Sequence, residues 1–91
     1  MVTAIVLMNI QRGKVNAVAE ALAGLDGISE VYSVAGNYDA VAVVRVAHND
    51  DLAALVNEHV AAVPGIDHTE TMLAFRSYSR HDLESMFSVG Q

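Results

Sequence analysis

Apolar positions along the chain fall into alternating strand-like and helix-like stretches. From Val2 to Ile10 it reads VTAIVLMNI, rich in β-branched residues and too short for a buried helix, which predicts a first strand. Val15, Val18, Ala19 and Leu22 then follow the i, i+3, i+4, i+7 spacing of one helical face, and Gly24 and Gly27 end that helix. Residues 28 to 35 and 40 to 46 return to strand-type composition around the turn formers Gly36-Asn37-Tyr38-Asp39, which predicts a hairpin. Leu52, Leu55, Val56, Val60 and Val63 stripe a second helix, capped by Asn49 or Asp50 and stopped by Pro64-Gly65. Residues 66 to 75 form a fourth strand, with Thr69, Thr71, Leu73 and Phe75 on one face and His68, Glu70, Met72 and Ala74 on the other. Beyond them Leu83, Met86 and Phe87 share one helical face behind a cap at Ser79 or His81. The division expected is one domain over residues 1–78 and a tail with a short helix over 79–91.

A weak internal repeat orders these elements. Leu22-Ala23-Gly24-Leu25-Asp26-Gly27-Ile28 aligns with Val60-Ala61-Ala62-Val63-Pro64-Gly65-Ile66 at an offset of 38, which also sets Ile5 on Val43 and Val18 on Val56. Each half is therefore strand, helix, strand, ending in the same turn. Two such units interleave most naturally into an α+β, ferredoxin-like βαββαβ sandwich: a four-stranded antiparallel sheet, both helices on one face, the first and third strands central. Those two strands carry AIVLM and VAVV, apolar on both sides, while two helices cover only one. A second copy packed sheet to sheet, as a dimeric α/β barrel, is the expected cover for the other.

Composition narrows the function. The 91 residues are 53% hydrophobic and 18% charged, with eleven acidic against five basic side chains and a net charge of −6. That balance disfavours direct contact with nucleic acid, which requires a basic surface. With no Cys, disulfides, thiolate zinc sites and a cysteine nucleophile are excluded together. No apolar run approaches a membrane span and no basic leader precedes the first strand, so a cytoplasmic protein is expected.

Few constellations suggest chemistry. His48, His59, His68 and His81 form no tetrahedral ligand set, although His68 and Glu70 share a strand face. His59 continues the second helix stripe and reads as a partly buried packing residue. Ser77, Ser79, His81 and Asp82 lie too close in sequence to converge as a hydrolase triad. Dinucleotide, P-loop and zinc-protease motifs are lacking, so no catalytic residue, metal or cofactor is expected. The turn Gly36 to Asp39 differs in joining an aromatic ring to a carboxylate at a tip, a pairing suited to a small ligand with an ammonium group.

Glu30-Val31-Tyr32-Ser33-Val34-Ala35-Gly36-Asn37-Tyr38-Asp39, followed after the next strand and helix by Val63-Pro64-Gly65-Ile66 and Thr69-Glu70-Thr71, resembles the effector-binding or RAM domain of the Lrp/AsnC transcription regulators. The resemblance runs from Val2 to about Ser77. It implies the ferredoxin-like fold, sheet-to-sheet dimers assembled into rings such as octamers or decamers, and an amino-acid effector bound between dimers around the G-x-Y-D turn. Gly36, Asn37, Tyr38 and Asp39 become candidate effector residues, with Thr69 and Thr71 as hydroxyl partners. Members of full length carry an N-terminal helix-turn-helix domain; this chain opens on the sheet and so resembles the stand-alone members. Asn37 stands where Asp or another residue is frequent, which bears on effector identity. The implied function is non-enzymatic amino-acid sensing, with indirect regulation through co-assembly with a full-length relative. Two alternatives share the topology: a dimeric α/β-barrel monooxygenase or isomerase, which needs a polar cavity between sheet and helices, and an ACT-like module, for which Gln11-Arg12-Gly13 supplies only one Gly.

Overall fold

A computed structural model of the chain describes residues 1–78. The expected tail helix with Leu83, Met86 and Phe87 lies outside the described residues. In chain order the elements are β1 (Val2–Ile10), α1 (Val15–Ala23), β2 (Ile28–Ser33), β3 (Ala40–Val46), α2 (Asn49–Ala54), a π-helical turn (Leu55–Val60) and β4 (Ile66–Leu73). The sheet is antiparallel with order β2-β3-β1-β4, the ferredoxin-like arrangement, and the most apolar strands are its centre.

Strand register assigns the two faces, because residues directly opposite in an antiparallel pair project to the same side. Ala4 faces Val44, Val6 faces Ala42 and Met8 faces Ala40. All six are buried under the helices together with Val18, Leu22, Leu55 and Val60. On the opposite side Ile5 sits between Val43 and Met72, and Leu7 between Val41 and Glu70.

The repeat is visible in the hydrogen bonds. The Leu25 amide donates to the Leu22 carbonyl at 3.0 Å, and its counterpart Val63 to Val60 at 3.1 Å. Gly27 and Gly65 follow with φ of 95° and 101°, a backbone region that L side chains enter at a cost. Each carbonyl then bonds a central strand or its end, Gly27 accepting from the Arg45 amide and Gly65 from the Gln11 amide, both at 2.8 Å. A Cβ on Gly27 would come 2.9 Å from Val46 Cγ1, and one on Gly65 would come 3.1 Å from Val18 Cγ2.

Three local expectations are corrected. β2 ends at Ser33, since the Val34 amide turns to the Asp39 carbonyl at 3.0 Å and begins the loop. The second helix is capped at His48, not at Asn49 or Asp50: the His48 amide donates to Asp51 Oδ2 at 3.2 Å, closing the first turn. Its second half is π-helical, which places both Leu55 and Val60 in the core. Positions five apart diverge on an α-helix of about 3.6 residues per turn, and a wider turn brings them back to one side. The adjustment leaves His59 exposed, lining a surface crevice with Asp26 and Leu55 and not packed as its periodicity suggests.

The two turn glycines should respond alike. Gly27→Ala and Gly65→Ala are each expected to lower unfolding free energy by about 1–3 kcal/mol. Gly24→Ala, at a helical φ of −84° with no atom nearer than 3.6 Å to the added Cβ, should raise it by up to ~1 kcal/mol. Urea denaturation of the three variants measures both signs.

Candidate functional site

The turn between β2 and β3 is fastened to the neighbouring central strand. β3 pairs with β1 through Met8 and Ala40, and Asp39 extends that ladder by one rung. Its amide donates to the Met8 carbonyl at 2.8 Å, and its Oδ2 accepts the Ile10 amide at 2.7 Å. A carboxylate here satisfies a backbone donor where β1 breaks register beyond Asn9, and a charged acceptor makes a stronger bond than a neutral one. Asn9 adds a second tie, its Nδ2 donating to the Asn37 carbonyl at 2.9 Å.

Tyr38 completes the attachment. Its hydroxyl donates to a Glu70 carboxylate oxygen on β4, and since β1 lies between β3 and β4 the side chain reaches across the end of β1. Glu70 stands opposite Leu7, so this contact lies on the face away from the helices. The hydrogen bond to Glu70 raises the Tyr38 pKa above its ordinary value, with burial and the carboxylate's charge adding in the same direction. Farther along, the Tyr32 hydroxyl donates to Glu30, which raises its pKa likewise, and Arg45 lies 3.9 Å from Glu30. This surface is thus an apolar strip of Ile5, Leu7, Val41, Val43 and Met72 with polar groups at its margins. Gly36, at φ 126° with nothing within 4 Å of an added Cβ, and Asn37 form the exposed tip.

The sequence-derived residues separate into two groups. Gly36, Asn37, Tyr38 and Asp39 form one turn. Thr69 and Thr71 pair with Met8 and Val6 on β1 and belong to the helix-facing side: Thr69 lines a cleft with Val56 and Val60, and Thr71 a groove with Leu52 and Val56. Within one protomer the threonines and the Tyr38–Glu70 contact therefore lie on opposite faces of the sheet. Asn9 and Glu70 complete the turn and were not among the sequence-derived candidates. Strand alternation places Glu70 on the outer face, but only the strand order brings it to Tyr38.

Among the described residues no group of three or more His, Asp or Glu side chains could hold a metal ion. His68 is exposed, opposite Asn9. The space between sheet and helices is filled by Val6, Met8, Val18, Leu22, Val44 and Val60, all less than 2% exposed.

Two measurements check this geometry. Asp39→Ala leaves the Ile10 amide without its acceptor and should cost about 1–3 kcal/mol of stability, whereas Asp39→Asn, which keeps an oxygen, should retain most of it. Ultraviolet titration of Tyr38, with Tyr32 and Tyr78 replaced by Phe, should give a pKa above about 10 that returns towards 10 in Glu70→Gln. Because the folded pKa is raised, the stabilisation from this contact is full below the unfolded pKa and is lost as pH rises through the folded value.

Comparison with known proteins agrees with this architecture. Residues 3–83 match the family described as the Lrp/AsnC ligand binding domain. The HTH-type transcriptional regulator FL11 of Pyrococcus horikoshii is 31% identical over 75 residues, covering 82% of this chain and 49% of its own length. The chain thus spans about half the length of such curated relatives. The crystal structure of TTHA0845 from Thermus thermophilus superposes with a TM-score of 0.82 at 44% identity, covering 88% of this chain and 100% of that one. A transcriptional regulator of Neisseria meningitidis, NMB0573, solved as a complex with L-Met, shares the fold at a TM-score of 0.77 and 9% identity, over 87% of this chain and 53% of its own. The fold, the turn and the match over nearly the whole described chain make this protein a member of the Lrp/AsnC ligand-binding-domain family.

Proposed function

We propose that this chain is a non-enzymatic, amino-acid-sensing domain that dimerises through its open sheet face, assembles further into rings, and regulates transcription by its ligand state or by co-assembly with a full-length relative. The observation carrying this reading is the Gly36–Asp39 turn. It is tied to β1 by the Asp39 carboxylate and by Asn9, which donates to the Asn37 carbonyl, and to β4 by the Tyr38 hydroxyl, while its tip is exposed. A turn held by three strand contacts supplies preorganised amides and a carboxylate at low entropic cost on binding. The family match supports a small-molecule ligand. The L-Met complex belongs to the Neisseria protein, whose likeness to this chain is in fold.

In this reading the effector's ammonium pairs with Asp39 or turn carbonyls, and its carboxylate with amides near Gly36. Thr69 and Thr71 face the helices of their own chain, so they join the same effector only from another protomer. The net charge of −6 supports a domain that leaves DNA contact to a partner. Among the described residues no helix is long and apolar enough to cross a membrane, and the proposed setting is the cytoplasm. The close packing of Val6, Met8, Val18, Leu22, Val44 and Val60 between sheet and helices favours the sensing reading over the monooxygenase or isomerase alternative, which needs a polar cavity there.

Calorimetry against the twenty amino acids tests the proposal. At least one should release heat, and Asp39→Asn, which keeps the strand contact but removes the charge, should weaken that binding about tenfold to a hundredfold. Absence of heat for every amino acid, or affinity unchanged in Asp39→Asn, would overturn the assignment of the turn.

A further inference from the structure

The helix-facing side of the sheet has an open margin. Between α2 and the edge strand β4 runs a surface groove of about 410 Å³, with Leu52, Ala53 and Val56 on one wall and Thr71 and Leu73 on the other. None of its lining residues is charged, and Leu73 is 50% exposed there. Such a surface fits an apolar group and offers nothing to pair with a charged one.

The same margin carries an apolar group that its own chain does not cover. Beyond Leu73 the Ala74 amide donates to the Thr3 carbonyl at 2.9 Å, which holds the chain against β1. Phe75 follows, 99% exposed, the most exposed of the large apolar side chains among the described residues. It lies outside the groove whose wall ends two residues before it, so an apolar knob and an apolar hole stand side by side on one protomer. A two-fold axis between two such margins would carry each Phe75 to the other's groove, which makes the patch complementary to its own copy.

We propose that two copies meet at this margin, each placing Phe75 in the other's groove between α2 and β4, and that this contact joins sheet-face dimers into rings. The inference rests on the sheet-face dimer proposed above and uses the opposite side of the sheet, so one protomer makes both contacts at once. Thr71, on the groove wall, then comes to the boundary between dimers, where the proposed effector site draws on another protomer. Two aromatic side chains bury about 300–500 Å², against roughly 1,600 Å² for an interface of standard size. Alone the contact is too small to hold two monomers at micromolar concentration, and it acts where a ring makes several such contacts together. Rings therefore fall to dimers on dilution before dimers fall to monomers.

Phe75 and Ala53 are both exposed, so Phe75→Asp and Ala53→Glu leave the protomer's own core intact. Sedimentation of the full chain should show assemblies larger than a dimer for the unaltered protein and folded dimers for either variant, with dimer–dimer association weakened at least tenfold. A larger assembly that survives either substitution, or a variant that falls to monomers, would overturn the proposal. An unaltered chain that stops at the dimer would overturn it and leave the sheet-face reading standing, whereas an unaltered monomer would overturn both. Cross-linking reads the pairing itself, since the chain has no Cys. In a mixture of Ala53→Cys and Arg76→Cys chains, a short bis-maleimide should join the two kinds, identified by mass, about tenfold faster than it joins Ala17→Cys to Arg76→Cys. Ala17 is exposed on α1, away from the groove, and equal rates for the two mixtures would overturn the proposal.

Discussion

Everything in this small domain depends on two central strands that are apolar on both faces. Ala4, Val6 and Met8 of β1 and Ala40, Ala42 and Val44 of β3 build the core with the helices. Between them, Ile5, Leu7, Val41 and Val43 face the other way. A sheet with one layer of helices leaves that second face to water, and burying an aliphatic side chain contributes about 1.5–3 kcal/mol. In the proposed dimer a second copy of the same face would supply the missing layer with self-complementary geometry. The polar contacts at its margins, Tyr32 with Glu30 and Tyr38 with Glu70, suit the rim of such an interface.

The turn draws its order from the same strands. Asp39 bonds where β1 breaks register, so one carboxylate oxygen is committed to the fold. This gives the Asp a structural reason to be present apart from any ligand, and it explains why a turn rich in Gly and Asn holds one shape. A site built at the end of a packed sheet takes its precision from the sheet. Tyr38 extends that support to β4 and ties the turn to the open face, through which assembly and ligand binding would be coupled.

Much of this was legible in the sequence because the signals were periodic or repeated. The alternation in β4 places Glu70 and Thr71 on opposite faces, and the 38-residue offset pairs Gly27 with Gly65 before either φ is known. Other features depend on three-dimensional neighbours. The His48 cap works through a backbone amide and Asp51, so the usual capping side chains at Asn49 and Asp50 mislead. The π-helical turn arises because Leu55 and Val60 both reach the core, and an ideal helical wheel then misplaces His59. Thr69 and Thr71 came to the site from family resemblance, whereas their register with Met8 and Val6 sets them on the helix side.

The central claim, that the open sheet face is an interface between copies, is tested most directly by sedimentation equilibrium at micromolar concentration. The account predicts a dimer or larger assembly for the unaltered chain and a folded monomer for Val43→Asp, whose charge would be buried only in the assembly. A monomer for the unaltered chain, or an assembly that Val43→Asp leaves intact, would contradict it.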